Sequence, residues 1–238
     1  MYPVSFDRAL EDIRSGRPVL VYDFDDRERE TDFTVASQFV TPSILRMMRN
    51  DAGGLICTTM PGPLASEIGL PFMSDVYWDD SAKYPLLAAM APTDIPYDRT
   101  KSSFGVTINH RDTYTGITDN DRALTITSFV DTIFSRSPVE RIRAEMGERF
   151  RAPGHVHLLN TTDRILQDRK GHTELCTAMM YMAGVRPSAT ICEMMGDDGG
   201  SRCRADVEAY AQEKGLSFIT GDEVVERWNK FMEAGGLL

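Results

Sequence analysis

The apolar run Val19-Leu-Val-Tyr22, preceded by Pro18, stops directly at six carboxylates in ten residues: Asp23, Asp25, Asp26, Glu28, Glu30 and Asp32. Few folds satisfy both halves. The run reads as a buried strand, and the charge that follows must leave it at a sheet end, where water or cations can reach it. Only Arg27 and Arg29 stand among these anions. An acidic run alone is usually a solvated turn. Two polar clusters far along the chain change that reading: Pro153-Gly-His-Val156 and Arg169-Lys-Gly-His-Thr-Glu174. A dense anionic loop with a distant histidine and arginine is what a divalent metal and a phosphorylated substrate require together.

Charge narrows the partners. The net charge is −10, from 36 acidic and 26 basic residues. Binding a phosphate backbone needs concentrated Lys and Arg, so no nucleic acid is expected. A small phosphate ester remains compatible, because a few arginines reverse the potential inside a pocket. The four cysteines, Cys57, Cys176, Cys192 and Cys203, form no C-x-x-C pair. That argues against structural zinc and, in a reducing compartment, against disulfides. No apolar stretch is long enough to span a bilayer, so no membrane partner is expected. The opening Met1-Tyr-Pro-Val-Ser-Phe is not built like a secretion signal, and a cytoplasmic protein is expected.

The pattern predicts one α/β domain of the α+β type over residues 1–238, a mixed twisted sheet layered with helices. Strands are expected at 19–22, 55–60, 103–109, 189–192 and 216–219. In 103–109, Phe104, Val106 and Ile108 should share one face. Thr41-Pro42 offers an N-cap and N1 proline for a helix through Met48, closed by Asp51-Ala-Gly-Gly54. Asp121 could cap a helix carrying Leu124, Ile126, Val130 and Ile133. Leu175, Ala178, Met179 and Met182 predict an amphipathic helix ending at Gly184. Helices are also expected at 206–214 and 222–232. The proline-rich residues 61–100 suggest helical turns and long loops.

If the acidic segment were extended, Asp26, Glu28, Glu30 and Asp32 would share one side, with Arg27 and Arg29 opposite. Mg²⁺ would use one or two of those carboxylates, and the rest could orient hydroxyls or move protons. His110-Arg-Asp-Thr-Tyr-Thr-Gly116 is a candidate ligand cradle. His155 and His172 sit where an imidazole could be held in the open. The free N–H groups beside Thr173, with Arg169 close by, would suit a phosphate.

Taken in order, Arg27-Glu28-x-Glu30-x-Asp32, Cys57, Thr113-x-Thr115-Gly-Ile117 with Asp121-Arg122-Ala123, Pro153-Gly-His155-Val, Arg169-x-Gly-His172-Thr-Glu174 and Cys192-Glu193-Met with Asp197-Asp-Gly199 resemble the 3,4-dihydroxy-2-butanone 4-phosphate synthases of riboflavin biosynthesis. The resemblance runs from about residue 5 to residue 225, and the length fits the monofunctional form. It implies a lyase that turns D-ribulose 5-phosphate into the butanone phosphate and formate, with Mg²⁺ or Mn²⁺, one or two ions per site. Glu28 and His172 are then the implied metal ligands. His155, Glu193 and Glu30 are the implied catalytic groups. Arg27, Glu28, Asp32, Cys57, Thr113, Thr115, Arg169, Lys170, Gly171, His172, Thr173 and Glu193 are the implied substrate contacts. A homodimer is implied, with the site near its interface and His155 acting across it. His110 and His157 have no implied role. Two other classes share these features: a metabolite sensor on the same scaffold, and a nucleotide-binding carbamoyl transferase, which would want a basic face and has no use for Arg169-x-Gly-His172.

Overall fold

The computed structural model describes residues 5–236, and one mixed sheet of seven strands organises them. The strands are β1 (Val19–Tyr22), β2 (Thr31–Ala36), β3 (Cys57–Met60), β4 (Phe104–His110), β5 (Phe150–Asn160), β6 (Ala189–Glu193) and β7 (Ser217–Thr220). Their order across the sheet is β4-β5-β3-β6-β2-β1-β7. β1/β7 and β3/β5 run parallel, and the other neighbours run antiparallel.

Helices cover both faces. On one lie α1 (Phe6–Arg14), α8 (His172–Ala183) and α10 (Gly221–Glu233). On the other lie α2 (Pro42–Met47), α3 (Gly62–Ile68), α6 (Asp119–Ile133), α7 (Val139–Arg149) and α9 (Arg204–Lys214). Two short helices, α4 (Met73–Asp79) and α5 (Pro85–Met90), stand outside these layers, and α4 buries none of its residues. Alternation along β1 joins the two cores: Leu20 packs into one, Val19 and Val21 into the other.

The α/β architecture and the expected strands are as the sequence predicts, as is the Thr41 cap, whose side chain accepts from the Ile44 N–H. Four local expectations are corrected. The 103–109 strand does not keep one alternating face, because register irregularities between Phe104 and Thr107 and between Ile108 and Asn109 shift its phase; Phe104 is exposed and Ile108 buried. α6 is capped by Thr118, not Asp121, which lies in its first turn. α8 is not amphipathic: every residue from His172 to Met180 is buried, because the sheet lies beneath it and α1 and α10 close its flanks. The acidic segment is not extended: Asp25–Glu28 is a turn closed by Asp23 N–H to Glu30 O.

Candidate active site

The acidic turn is built on Asp23. This buried carboxylate accepts the N–H groups of Glu28 (2.9 Å) and Glu30 (3.0 Å), which curls the loop back over the end of β1. Arg29 takes a positive φ of 59° to complete the turn. Glu28 is thereby aimed inward. Asp32 follows at the start of β2, where it is the register partner of Glu193 at the end of β6. Cys57 opens β3 opposite Ile191, two residues before Glu193. Three neighbouring strands thus deliver a carboxylate, a carboxylate and a thiol to one end of the sheet.

α8 begins over that end. His172 Nδ1 faces Glu28 Oε2 at 3.0 Å, and Nε2 faces the Glu30 carbonyl at 3.3 Å and Asp32 Oδ1 at 3.9 Å. Burial opposes a charged ring, but Asp32 and Glu28 outweigh it and raise the His172 pKa to about 9. Desolvation is the main force on Asp32: it lifts that carboxyl to about 7, against the pull of His172 and with the help of Glu193. Asp32 Oδ1 has no hydrogen-bond partner although it is buried.

Arg169 is held by two anions. Its Nε donates to Asp98 Oδ2 and its Nη1 to Glu174 Oε2, each at 2.7 Å. Gly171 permits this, since a Cβ there would lie 2.2 Å from Arg169 Nη1. Asp98 Oδ2 also accepts from Arg27 Nη2 at 3.0 Å. Burial opposes the Asp98 charge, yet the Thr100 hydroxyl and N–H, together with the Arg169 and Arg27 guanidiniums, hold that carboxyl at about 2. Arg27 pairs further with Glu28 (2.8 Å) and Asp23 (3.3 Å). At the opposite wall, Glu193 Oε2 accepts the Leu55 N–H at 2.7 Å. Gly54 makes room for it, as a Cβ would meet that oxygen at 2.4 Å.

These groups surround a cavity of about 220 Å³ lined by Glu28, Asp32, Cys57, Arg169, His172, Thr173 and Glu193, and roofed by Ile95 and its neighbours. Larger hollows of about 780 and 760 Å³ lie elsewhere and hold none of this set. Ligand atoms of Asp23, Glu28 and His172 all lie within 4.8 Å of one another. Two carboxylates and an imidazole, beside the unpartnered Asp32 oxygen, form a hard donor set of the kind a divalent cation takes. The cavity can therefore accept a small oxygen-rich anion beside a metal, with several carboxylates placed to exchange protons.

Not every expected residue is here. Lys170 is exposed and lines an adjoining hollow with Arg27. Glu30 sits at the rim, accepting from Ser201 at 2.5 Å. Burial pushes the Cys57 thiol pKa well up, so it stays a neutral wall group. His155, Thr113 and Thr115 form a second cluster on β5 and the loop after β4, outside this cavity. Thr113 is buried, donates to His110 O (2.7 Å) and accepts from Arg151 (3.1 Å). Thr115 is exposed, and His155 Nδ1 lies 3.0 Å from the Asn109 amide nitrogen. His110 packs edge-on against Phe150, and His157 against Phe104. Nothing in the sequence marks Asp98 or Asn109; each is one polar residue without a recognisable neighbourhood, and only the fold gives it partners.

The family model described as 3,4-dihydroxy-2-butanone 4-phosphate synthase matches residues 7–227. A protein of that name from Methanothermobacter thermautotrophicus is 44% identical over 96% of this chain and 97% of its own. One from Archaeoglobus fulgidus is 43% identical over 97% of this chain and 96% of its own. Among solved structures, a synthase of the same name in complex with two magnesium ions superposes with a TM-score of 0.73 at 23% identity, over 95% of this chain and 97% of that one.

Proposed function

The chain belongs to the 3,4-dihydroxy-2-butanone 4-phosphate synthase family, and on that premise we propose that it converts D-ribulose 5-phosphate to L-3,4-dihydroxy-2-butanone 4-phosphate and formate. The observation that carries this reading is the convergence of Glu28, Asp32, Arg169, His172, Thr173 and Glu193, from three separate stretches of the chain, on one cavity. The reaction needs no redox partner: enolisation, loss of water and skeletal rearrangement are followed by uptake of one water as C4 leaves as formate, so atoms and electrons balance between substrate and products.

Glu28 and His172 would hold Mg²⁺ or Mn²⁺, one or two ions per site, with the Asp23 carboxylate beside them. The ion supplies Lewis acidity toward the ketone and hydroxyl oxygens of the sugar. The remaining work falls to the chain. Arg169 and Thr173, at the N-terminus of α8, grip the phosphate, where free N–H groups and the helix dipole favour an anion. The Asp98 and Glu174 anchors fix the Arg169 guanidinium, so its remaining N–H groups meet the substrate in a set orientation. Asp32, a carboxyl that burial raises above its ordinary range, is suited to exchange a carbon-bound proton. Glu193, pinned by the Leu55 N–H, faces it across the β2–β6 pair. Glu30 orients hydroxyls at the rim.

His155 and Thr115 stand apart from this cavity within one chain. We assign them to the site of a second copy, in a homodimer whose interface brings the β4–β5 end of one protomer to the Glu28–His172 cavity of the other. The experiment is ¹³C NMR of the purified protein with C4-labelled ribulose 5-phosphate and Mg²⁺, with and without EDTA. Labelled formate that forms only with free metal is the expected result; a folded, metal-loaded protein that makes none refutes the reading.

A further inference from the structure

The amide of Asn109 decides which nitrogen of His155 carries a proton. Asn109 is buried on β4, against β5. Its Oδ1 accepts the backbone N–H of His155 at 2.9 Å. A backbone N–H can only donate, so that end of the amide is the oxygen, and Nδ2 is the other end. Nδ2 carries two hydrogens. One meets the Thr115 carbonyl at 3.4 Å and the other meets His155 Nδ1 at 3.0 Å. An amide nitrogen has nothing to accept with, so Nδ1 is the acceptor and the neutral ring keeps its proton on Nε2. The ring is exposed, and among the described residues Nε2 makes no hydrogen bond. A proton on Nδ1 would set N–H against N–H, so the contact excludes the Nδ1–H tautomer.

The loop after β4 holds this arrangement. Gly116 takes a φ of +99°, and a Cβ there would lie 2.1 Å from Asn109 Nδ2. Its N–H donates to Asp121 Oδ2 at 2.9 Å, which keeps the turn closed around the amide. Rotating the amide by half a turn would oppose Oδ1 to the Thr115 carbonyl and Nδ2 to the His155 N–H, losing both bonds. Asn109 therefore has one orientation.

We propose that Asn109 is a positioning residue that holds His155 as its neutral Nε2–H tautomer, so that His155 serves the reaction as a hydrogen-bond donor to a substrate oxygen gaining negative charge, and not as the base that takes a proton from carbon. The substrate part rests on the reading under Proposed function; the tautomer does not. A neutral imidazole N–H stabilises a developing oxyanion without giving up its proton. Removal of the carbon-bound proton then belongs to the carboxylates of the other cluster.

The test is a long-range ¹H–¹⁵N correlation spectrum of the full ¹⁵N-labelled chain at an alkaline pH where free imidazole is neutral. The chain has four histidines, and the signals lost in His155→Gln assign the ring in question. The expected pattern is Nε2–H; an Nδ1–H pattern, or an averaged pair, overturns the proposal. Asn109→Asp keeps an acceptor for the His155 N–H but offers Nδ1 a second acceptor, so the proton should move to Nδ1. At that same pH kcat should fall by about a hundredfold or more, the usual loss for one oxyanion donor, with KM little changed. A switched tautomer with unchanged kcat overturns the catalytic half. Should Asn109→Asp not fold, the wild-type spectrum still decides the tautomer. A wild-type chain that shows Nε2–H but makes no formate removes the reaction and leaves the tautomer assignment standing.

Discussion

Glu28 and His172 make different contributions to one contact, and substitutions separate them. Glu28→Ala removes the carboxylate proposed to hold the metal and strips partners from His172 and Arg27 at once. His172→Ala removes the imidazole and leaves Glu28 beside Asp32. Each is expected to abolish formate release and to weaken Mg²⁺ or Mn²⁺ binding in calorimetry, with the fold kept by circular dichroism; turnover retained in either variant would sink the metal assignment. The metal-free protein carries a pH signature as well. The folded-state pKa of His172, about 9, lies above its ordinary value, so its stabilising charge is fully present below about pH 6.5 and lost as pH rises through about 9. Urea midpoints should therefore fall between about pH 7 and about pH 10, and His172→Gln should lack that part of the fall. A wild-type midpoint that stays level across that range would contradict the Glu28–His172–Asp32 ion cluster.

At the scale of elements, the loop that enters α8 shows how a small residue sets a large one. Gly171 has an ordinary extended φ of −90°, so its value is space and not backbone freedom. Gly171→Ala should push the Arg169 guanidinium off Glu174 and raise KM for ribulose 5-phosphate about tenfold or more, with kcat less affected. An unchanged KM would remove Arg169 from the phosphate grip. Elements also show what could be read in advance. β1, β3, β6 and the Thr41 cap were legible because short apolar runs and caps act locally. β5 was not, because Pro153-Gly154 reads as a break; the strand continues, and Gly154 lies so close to β4 that a Cβ would fall 2.0 Å from the Ile108 carbonyl carbon. The all-round burial of α8 was hidden for another reason. Periodicity reports one apolar stripe, while His172, Glu174 and Thr177 are buried polar residues with partners outside the helix.

At the scale of the molecule, the expected site residues fall into two groups. Glu28, Asp32, Arg169, His172, Thr173 and Glu193 gather at one sheet end, beside interior strands, whereas His155 and Thr115 lie by the edge pair β4–β5. Sequence motifs give membership of a site and no information on which copy supplies each member, since covalent order carries no trace of symmetry. Two inactive variants distinguish the cases. Glu28→Ala and His155→Ala, mixed under conditions that exchange subunits, should regain part of the wild-type rate, because a mixed dimer holds one site with neither substitution. Mixtures as inactive as their parents would place both groups in one protomer.

α1 and α10 lie side by side against α8: Arg227 pairs with Asp7 at 2.7 Å and covers the Phe6 ring. The first and last helices of the described chain are therefore spatial neighbours, and the order in which the polypeptide visits its layers is to that extent arbitrary. A flexible bridge from the end of α10 to the start of α1, with a new opening cut in the exposed 80–84 turn between α4 and α5, would rewire the chain without touching a strand. Such a circular permutant would put Glu28 and Asp32 on one side of the old terminus and Arg169, His172, Glu193 and the His155 cluster on the other, each still assembled from the same neighbours.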